Sequence, residues 1–81
     1  MEVCIRFGSG IARLAPAPVL RLELPEGATV EELYDRLRGS YPELAPALGS
    51  SLPVLRGAHL ERDRTLTHGD EIALLAPVSG G

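Results

Sequence analysis

Near the start of the chain, Val3, Ile5 and Phe7 alternate with Glu2, Cys4 and Arg6. A period of two sends successive side chains to opposite faces, so the segment predicts a strand with one side on a core. Gly8-Ser9-Gly10 interrupts it as a strand-end turn, and Pro16 and Pro18 keep the following connection extended. Leu20, Leu22 and Leu24 then alternate with Val19, Arg21 and Glu23, predicting a second strand. After the turn Pro25-Glu26-Gly27 the period changes. Thr29 offers a hydroxyl cap and Glu32, three residues on, a carboxylate to return the hydrogen bond. Val30, Leu33, Tyr34 and Leu37 fall at i, i+3, i+4 and i+7, one apolar stripe of a helix of about three turns. Gly39 is its expected stop, ahead of Tyr41-Pro42.

In the second half, Leu44, Ala47 and Leu48 predict a short helical turn closed by Gly49. Leu52 to Leu55 and Ala58-His59-Leu60 are short strand candidates, with Glu61-Arg62-Asp63-Arg64 a charged turn before Leu66. Thr67-His68-Gly69-Asp70 is a turn whose glycine can take positive φ. Ile72, Ala73, Leu74 and Leu75 form a nearly continuous apolar run, the mark of a central strand. Two strands, a helix, short strands and a last central strand share one core if the helix lies across one face of a mixed sheet. That is the α+β arrangement called the β-grasp, with the last strand parallel to the first. One domain over residues 1–76 is expected, followed by a flexible tail over 77–81.

Composition narrows the class of function. A chain of 81 residues builds one modest core and is poorly placed to form a deep, water-excluding active site. A net charge of -3 without a Lys/Arg cluster argues against nucleic acid. Cys4 alone gives no disulfide framework and fits a reducing compartment. No apolar run is long enough to cross a bilayer, and Met1-Glu2-Val3-Cys4-Ile5-Arg6 lacks the order of a signal peptide, so a cytoplasmic location is expected.

Most candidate chemistry falls away on inspection. Gly8-Ser9-Gly10 is a fragment of a phosphate loop, with no helix start expected behind it. His59 and His68 lack ligand-like neighbours, so no metal site is expected. Cys4 has no adjacent base and reads as structural. Asp70 and Glu71, being adjacent, point to opposite faces of a strand rather than pairing as acid and base.

What is left is the end of the chain, Gly80-Gly81. A terminal carboxylate resists nucleophiles until it is converted to a mixed anhydride, after which a sulfur donor can displace the leaving group. Two residues without Cβ atoms let it thread a narrow channel.

The stretch Leu66-Thr67-His68-Gly69-Asp70-Glu71-Ile72-Ala73-Leu74-Leu75-Ala76-Pro77-Val78-Ser79-Gly80-Gly81 resembles the C-terminal part of the MoaD/ThiS family of ubiquitin-like sulfur carriers, closest to MoaD, the small subunit of molybdopterin synthase. There a Gly-Asp-Glu turn, an apolar strand, Pro-Val-Ser and Gly-Gly follow in the same order. Thr29-Val30-Glu31-Glu32-Leu33 and Arg13 lend further support. The resemblance implies a ubiquitin-like fold and a carrier that binds no cofactor. An E1-like adenylyltransferase (MoeB-like) would use ATP to adenylate Gly81, a sulfur donor would convert it to a thiocarboxylate, and a molybdopterin synthase large subunit (MoaE-like) would consume the sulfur. Gly80 is then the access residue, and Leu75, Pro77, Val78 and Ser79 are docking contacts. Leu74, Leu75 and Ala76 stand where synthase members often carry aromatics and a second proline. Carriers for thiamine or tRNA thiolation, and a modifier conjugated to lysines, therefore stay open beside the molybdopterin reading.

Overall fold

The computed structural model describes residues 1–76. The elements are β1 (Glu2–Phe7), α1 (Ser9–Ala12), β2 (Val19–Glu23), α2 (Val30–Ser40), a 3₁₀ turn (Pro42–Leu44), α3 (Ala45–Gly49), β3 (Leu52–Leu55), β4 (Ala58–His59) and β5 (Glu71–Leu75). Pro77, Val78, Ser79, Gly80 and Gly81 lie outside the described residues.

Five strands form one sheet in the order β2-β1-β5-β3-β4. β5 runs parallel to β1, with Ile5 opposite Ile72 and Phe7 opposite Leu74. It runs antiparallel to β3, so the sheet is mixed and β5 has a strand on each side. This is the β-grasp expected from the element order. Val3, Ile5, Phe7, Leu22, Pro53, Ile72 and Leu74 supply the inner face, and the α2 stripe of Val30, Leu33, Tyr34 and Leu37 is buried with it. α2 covers one face only. The apolar run of β5 therefore signals flanking strands and not burial on both sides, since Ala73 and Leu75 look out on the uncovered face.

α2 starts at the Thr29 cap, whose hydroxyl accepts from the Glu32 N–H while the Glu32 carboxylate accepts from the Thr29 N–H. The segment after β4 serves the same helix end. The Val30 and Glu31 N–H groups, which have no partner within the helix, donate to the carbonyls of Arg64 and Arg62 at 3.0 and 2.9 Å. Leu60 and Leu66 anchor this irregular segment in the core, and the Arg62 guanidinium lies 3.9 Å from the centre of the Tyr34 ring.

Two local expectations need correction. Gly39 does not stop α2, which continues through Ser40. The stop is Pro42, because the residue before a proline is driven out of the helical region, and Tyr41 sits at φ -134 and ψ 76. The second concerns Gly8-Ser9-Gly10, within which a helix does begin, at Ser9. α1 is one turn long, capped without any side-chain hydrogen bond, and held by Ile11 buried in the core. Gly69 takes φ 89, as its turn requires. That turn also holds the start of β1, since the Glu2 N–H donates to His68 Nδ1 at 2.9 Å and the Gly69 N–H donates to the Glu2 carbonyl at 2.8 Å.

Candidate functional site

The pairing of β5 decides where the chain leaves the sheet. Parallel pairing with β1 brings Leu74 beside Phe7, and antiparallel pairing with β3 sets Leu75 opposite Leu52 and Ala73 opposite Val54. Period-two geometry then puts Leu52, Val54, Ala73 and Leu75 together on the face that α2 leaves bare. Leu52 and Leu75 are 42% and 39% exposed, unusual for two neighbouring leucines on one strand pair. Val54 and Ala73 between them are half-buried.

Polar residues border this apolar strip. Arg6 is paired with Ala73 across β1 and β5, and its guanidinium lies 3.3 Å from the Glu71 carboxylate, both side chains exposed. His59 faces Val54 from β4. Cys4 lies on the same open face, half-buried between Arg21 and Glu71. Asp70 turns back into its own loop and accepts from the Thr67 N–H at 2.8 Å, so it and Glu71 make no carboxylate pair. An apolar centre with a polar rim is the anatomy of a protein-docking surface.

The perturbed groups belong to the scaffold. Burial pushes the Tyr34 phenol above its ordinary value, partly offset by its hydrogen bond to Ser51. The hydrogen bond to the Asp35 carboxylate holds the Arg38 guanidinium above its usual range. Both residues lie on α2, away from the open face. Among the described residues no group of three or more His, Cys, Asp or Glu could hold a metal ion. A shallow depression lined by Leu24, Pro25, Glu32, Asp35 and Arg36 lies at the far end of the sheet from Leu75, its charged side chains exposed to water.

Of the residues singled out from the sequence, Leu75 is placed at the mouth of the sheet, on its open face, and Pro77, Val78, Ser79, Gly80 and Gly81 fall outside the described residues. Leu52 was missed as a candidate. Every residue of Leu52-Pro53-Val54-Leu55 is apolar, so no local alternation says which side looks outward.

The profile of the ThiS family matches residues 11–81. The chain belongs to the ThiS family. It is a ubiquitin-like sulfur carrier of the MoaD/ThiS type. Among relatives, the molybdopterin synthase sulfur carrier subunit of Arabidopsis thaliana is 26% identical over 81 residues, spanning 100% of this chain and 84% of the relative. Among solved structures, SAMP1 of Haloferax volcanii aligns with a TM-score of 0.86 at 25% identity, covering 100% of both chains. A complex of subunits 1 and 2 of the molybdopterin-converting factor from Helicobacter pylori contains a chain aligning with a TM-score of 0.74 at 27% identity, again over 100% of both. Among the described residues no helix is long and apolar enough to cross a membrane.

Proposed function

We propose that this chain carries sulfur on the terminal carboxylate of Gly81 for synthesis of the molybdopterin dithiolene. The observation that carries the reading is the end of β5: the chain leaves the middle of the sheet at Leu75 and Ala76 beside an open apolar strip, five residues short of its carboxylate. The likeness to the Arabidopsis thaliana subunit over the whole chain supports the choice of product. The Helicobacter pylori complex supports a larger synthase subunit as the partner.

The chemistry is an activation and a displacement. A Gly81 carboxylate oxygen attacks the α-phosphorus of ATP in an E1-like adenylyltransferase, a P–O bond breaks, and pyrophosphate leaves. A sulfur nucleophile at the oxidation level of hydrosulfide then attacks the acyl carbon. A C–S bond forms as the C–O bond to AMP breaks, and no electrons are gained or lost. The leaving phosphate makes this step feasible where the bare carboxylate would not react. The protein's own part is positioning. The Leu75 strip docks, the scaffold holds the root of the tail, and Gly80 and Gly81 admit the carboxylate to the partner's channel.

Intact mass spectrometry of the protein purified from its own host tests the reading. The expected species carries one oxygen exchanged for sulfur, and adding a synthase large subunit with the pterin precursor should discharge it. A second reading, conjugation of Gly81 to lysines, draws support from the fold-level match to SAMP1, a small archaeal modifier protein. Ladders of higher-mass adducts with no thiocarboxylate would favour it.

A further inference from the structure

β1 and β5 end side by side. The Gly8 N–H donates to the Leu74 carbonyl at 2.9 Å, extending their parallel pairing one residue past Phe7. At this point two glycines stand against the exit of β5. A Cβ on Gly8 would lie 3.1 Å from Leu75 Cδ2 and 3.3 Å from the Leu74 carbonyl oxygen, and a Cβ on Gly10 would lie 2.9 Å from the Cβ of Ala76. Carbon atoms pack best at about 3.5–4.0 Å, so an alanine at position 10 displaces Ala76 by about half an ångström or more.

Backbone conformation does not ask for glycine here. Gly8 sits at φ -69, and Gly10 lies inside α1 without a positive φ. Gly10 and Ala76 are both exposed, in surroundings where a methyl group ordinarily finds room. The crowding is therefore specific to this contact. α1 is anchored, because Ile11 is 1% exposed in the core and the Gly8 N–H at its start donates to the Leu74 carbonyl of β5 at 2.9 Å. Across the strand, Leu52 opposes Leu75. The root of the tail is thus set between a pinned turn of helix and a neighbouring strand.

We propose that Gly8 and Gly10 are positioning residues that set the anchor point of the tail, Ala76, for the activating enzyme, a role that rests on the reading of Gly81 as the reacting terminus. The two glycines bring α1 against Leu75 and Ala76 and so fix where Ala76 sits on the scaffold. Crowding this contact moves that anchor by about half an ångström or more. Reaction rates fall steeply when groups are misplaced by about 1 Å, whereas docking through the Leu75 strip does not depend on where Ala76 sits.

The test is ATP–pyrophosphate exchange by the host's E1-like adenylyltransferase, measured against concentration of the full-length carrier, with thermal unfolding alongside. Gly10→Ala should lower kcat on the order of tenfold, with KM changed by less than about twofold and the melting midpoint unmoved. The swap Gly10→Ala with Ala76→Gly returns one methyl group to the contact and should bring kcat back to within about threefold of the parent. Ala76→Val crowds the same contact from an exposed position and decides the matter if Gly10→Ala fails to fold. It should show the same loss of kcat. Parental kcat in both crowded variants overturns the positioning role, and so does a loss in Gly10→Ala that the swap leaves unrepaired. A chain lacking Gly81 separates the two claims: exchange surviving that deletion overturns the assignment of Gly81, whereas a dead deletion beside fully active crowded variants overturns only the role of the glycines.

Discussion

Leu75 and Leu52 oppose each other across β5 and β3, and both leave much of their side chain in water. Pro53, Ile72 and Leu74 are buried in the core on the other face of the same strands, so this exposure reflects the uncovered side of the sheet and not loose packing. Leu75→Glu and Leu52→Glu should each weaken binding to the synthase large subunit by about 2 kcal/mol, the scale of an anchor residue in an interface. Titration calorimetry measures the affinity and thermal unfolding confirms the fold. Undiminished affinity in both variants would place docking elsewhere.

Deleting Gly81 withdraws the carboxylate by one residue, about 3.5 Å of extended chain. Adenylation should nearly vanish, because reactions between positioned groups lose rate with far smaller misplacements. One added alanine should be as damaging, since the carboxylate overshoots and a methyl group enters the channel. Circular dichroism melts of both variants should match the parent. An active shortened chain would assign the chemistry to another group.

Thr29 and Glu32 close a reciprocal cap at the start of α2, with the Glu32 N–H bonded to the Thr29 hydroxyl at 3.3 Å. Thr29→Ala should destabilise the fold by about 1 kcal/mol and leave sulfur transfer intact. Chemical denaturation read against thiocarboxylate formation tests both halves of that statement.

Tyr34 donates a 2.7 Å hydrogen bond to Ser51, whose own proton is directed to the Leu48 carbonyl at 3.0 Å. Tyr34→Phe should cost about 1 kcal/mol at neutral pH, for one buried hydrogen bond. Burial raises the phenol's folded-state pKa above its ordinary 10.0, so folding favours the neutral form. That contribution is fully present below the ordinary value and is lost as pH rises through the raised one. Unfolding curves collected across the alkaline range should therefore fall less steeply for Tyr34→Phe than for the parent. Parallel slopes would refute the linkage.

Periodicity and capping are relations among residues close along the chain, and they were legible without coordinates. The alternation of Val3, Ile5 and Phe7, the stripe from Val30 to Leu37, the Thr29–Glu32 box and the central position of β5 all follow from such relations. The resemblance that singles out Gly81 was also carried by contiguous residues. α1 was not legible, because four residues gain too little from local hydrogen bonding to form a helix alone, and Ile11 holds them through the core. The stop of α2 was misread for a related reason, as the conformational demand of Pro42 outweighed the usual preference for glycine at a helix end. Leu52 beside Leu75, Gly10 against Ala76 and Ser51 beneath Tyr34 join residues far apart in the chain. Strand register and close packing set those meetings, and both depend on how α2 and the sheet share a single core, which no short stretch of sequence encodes.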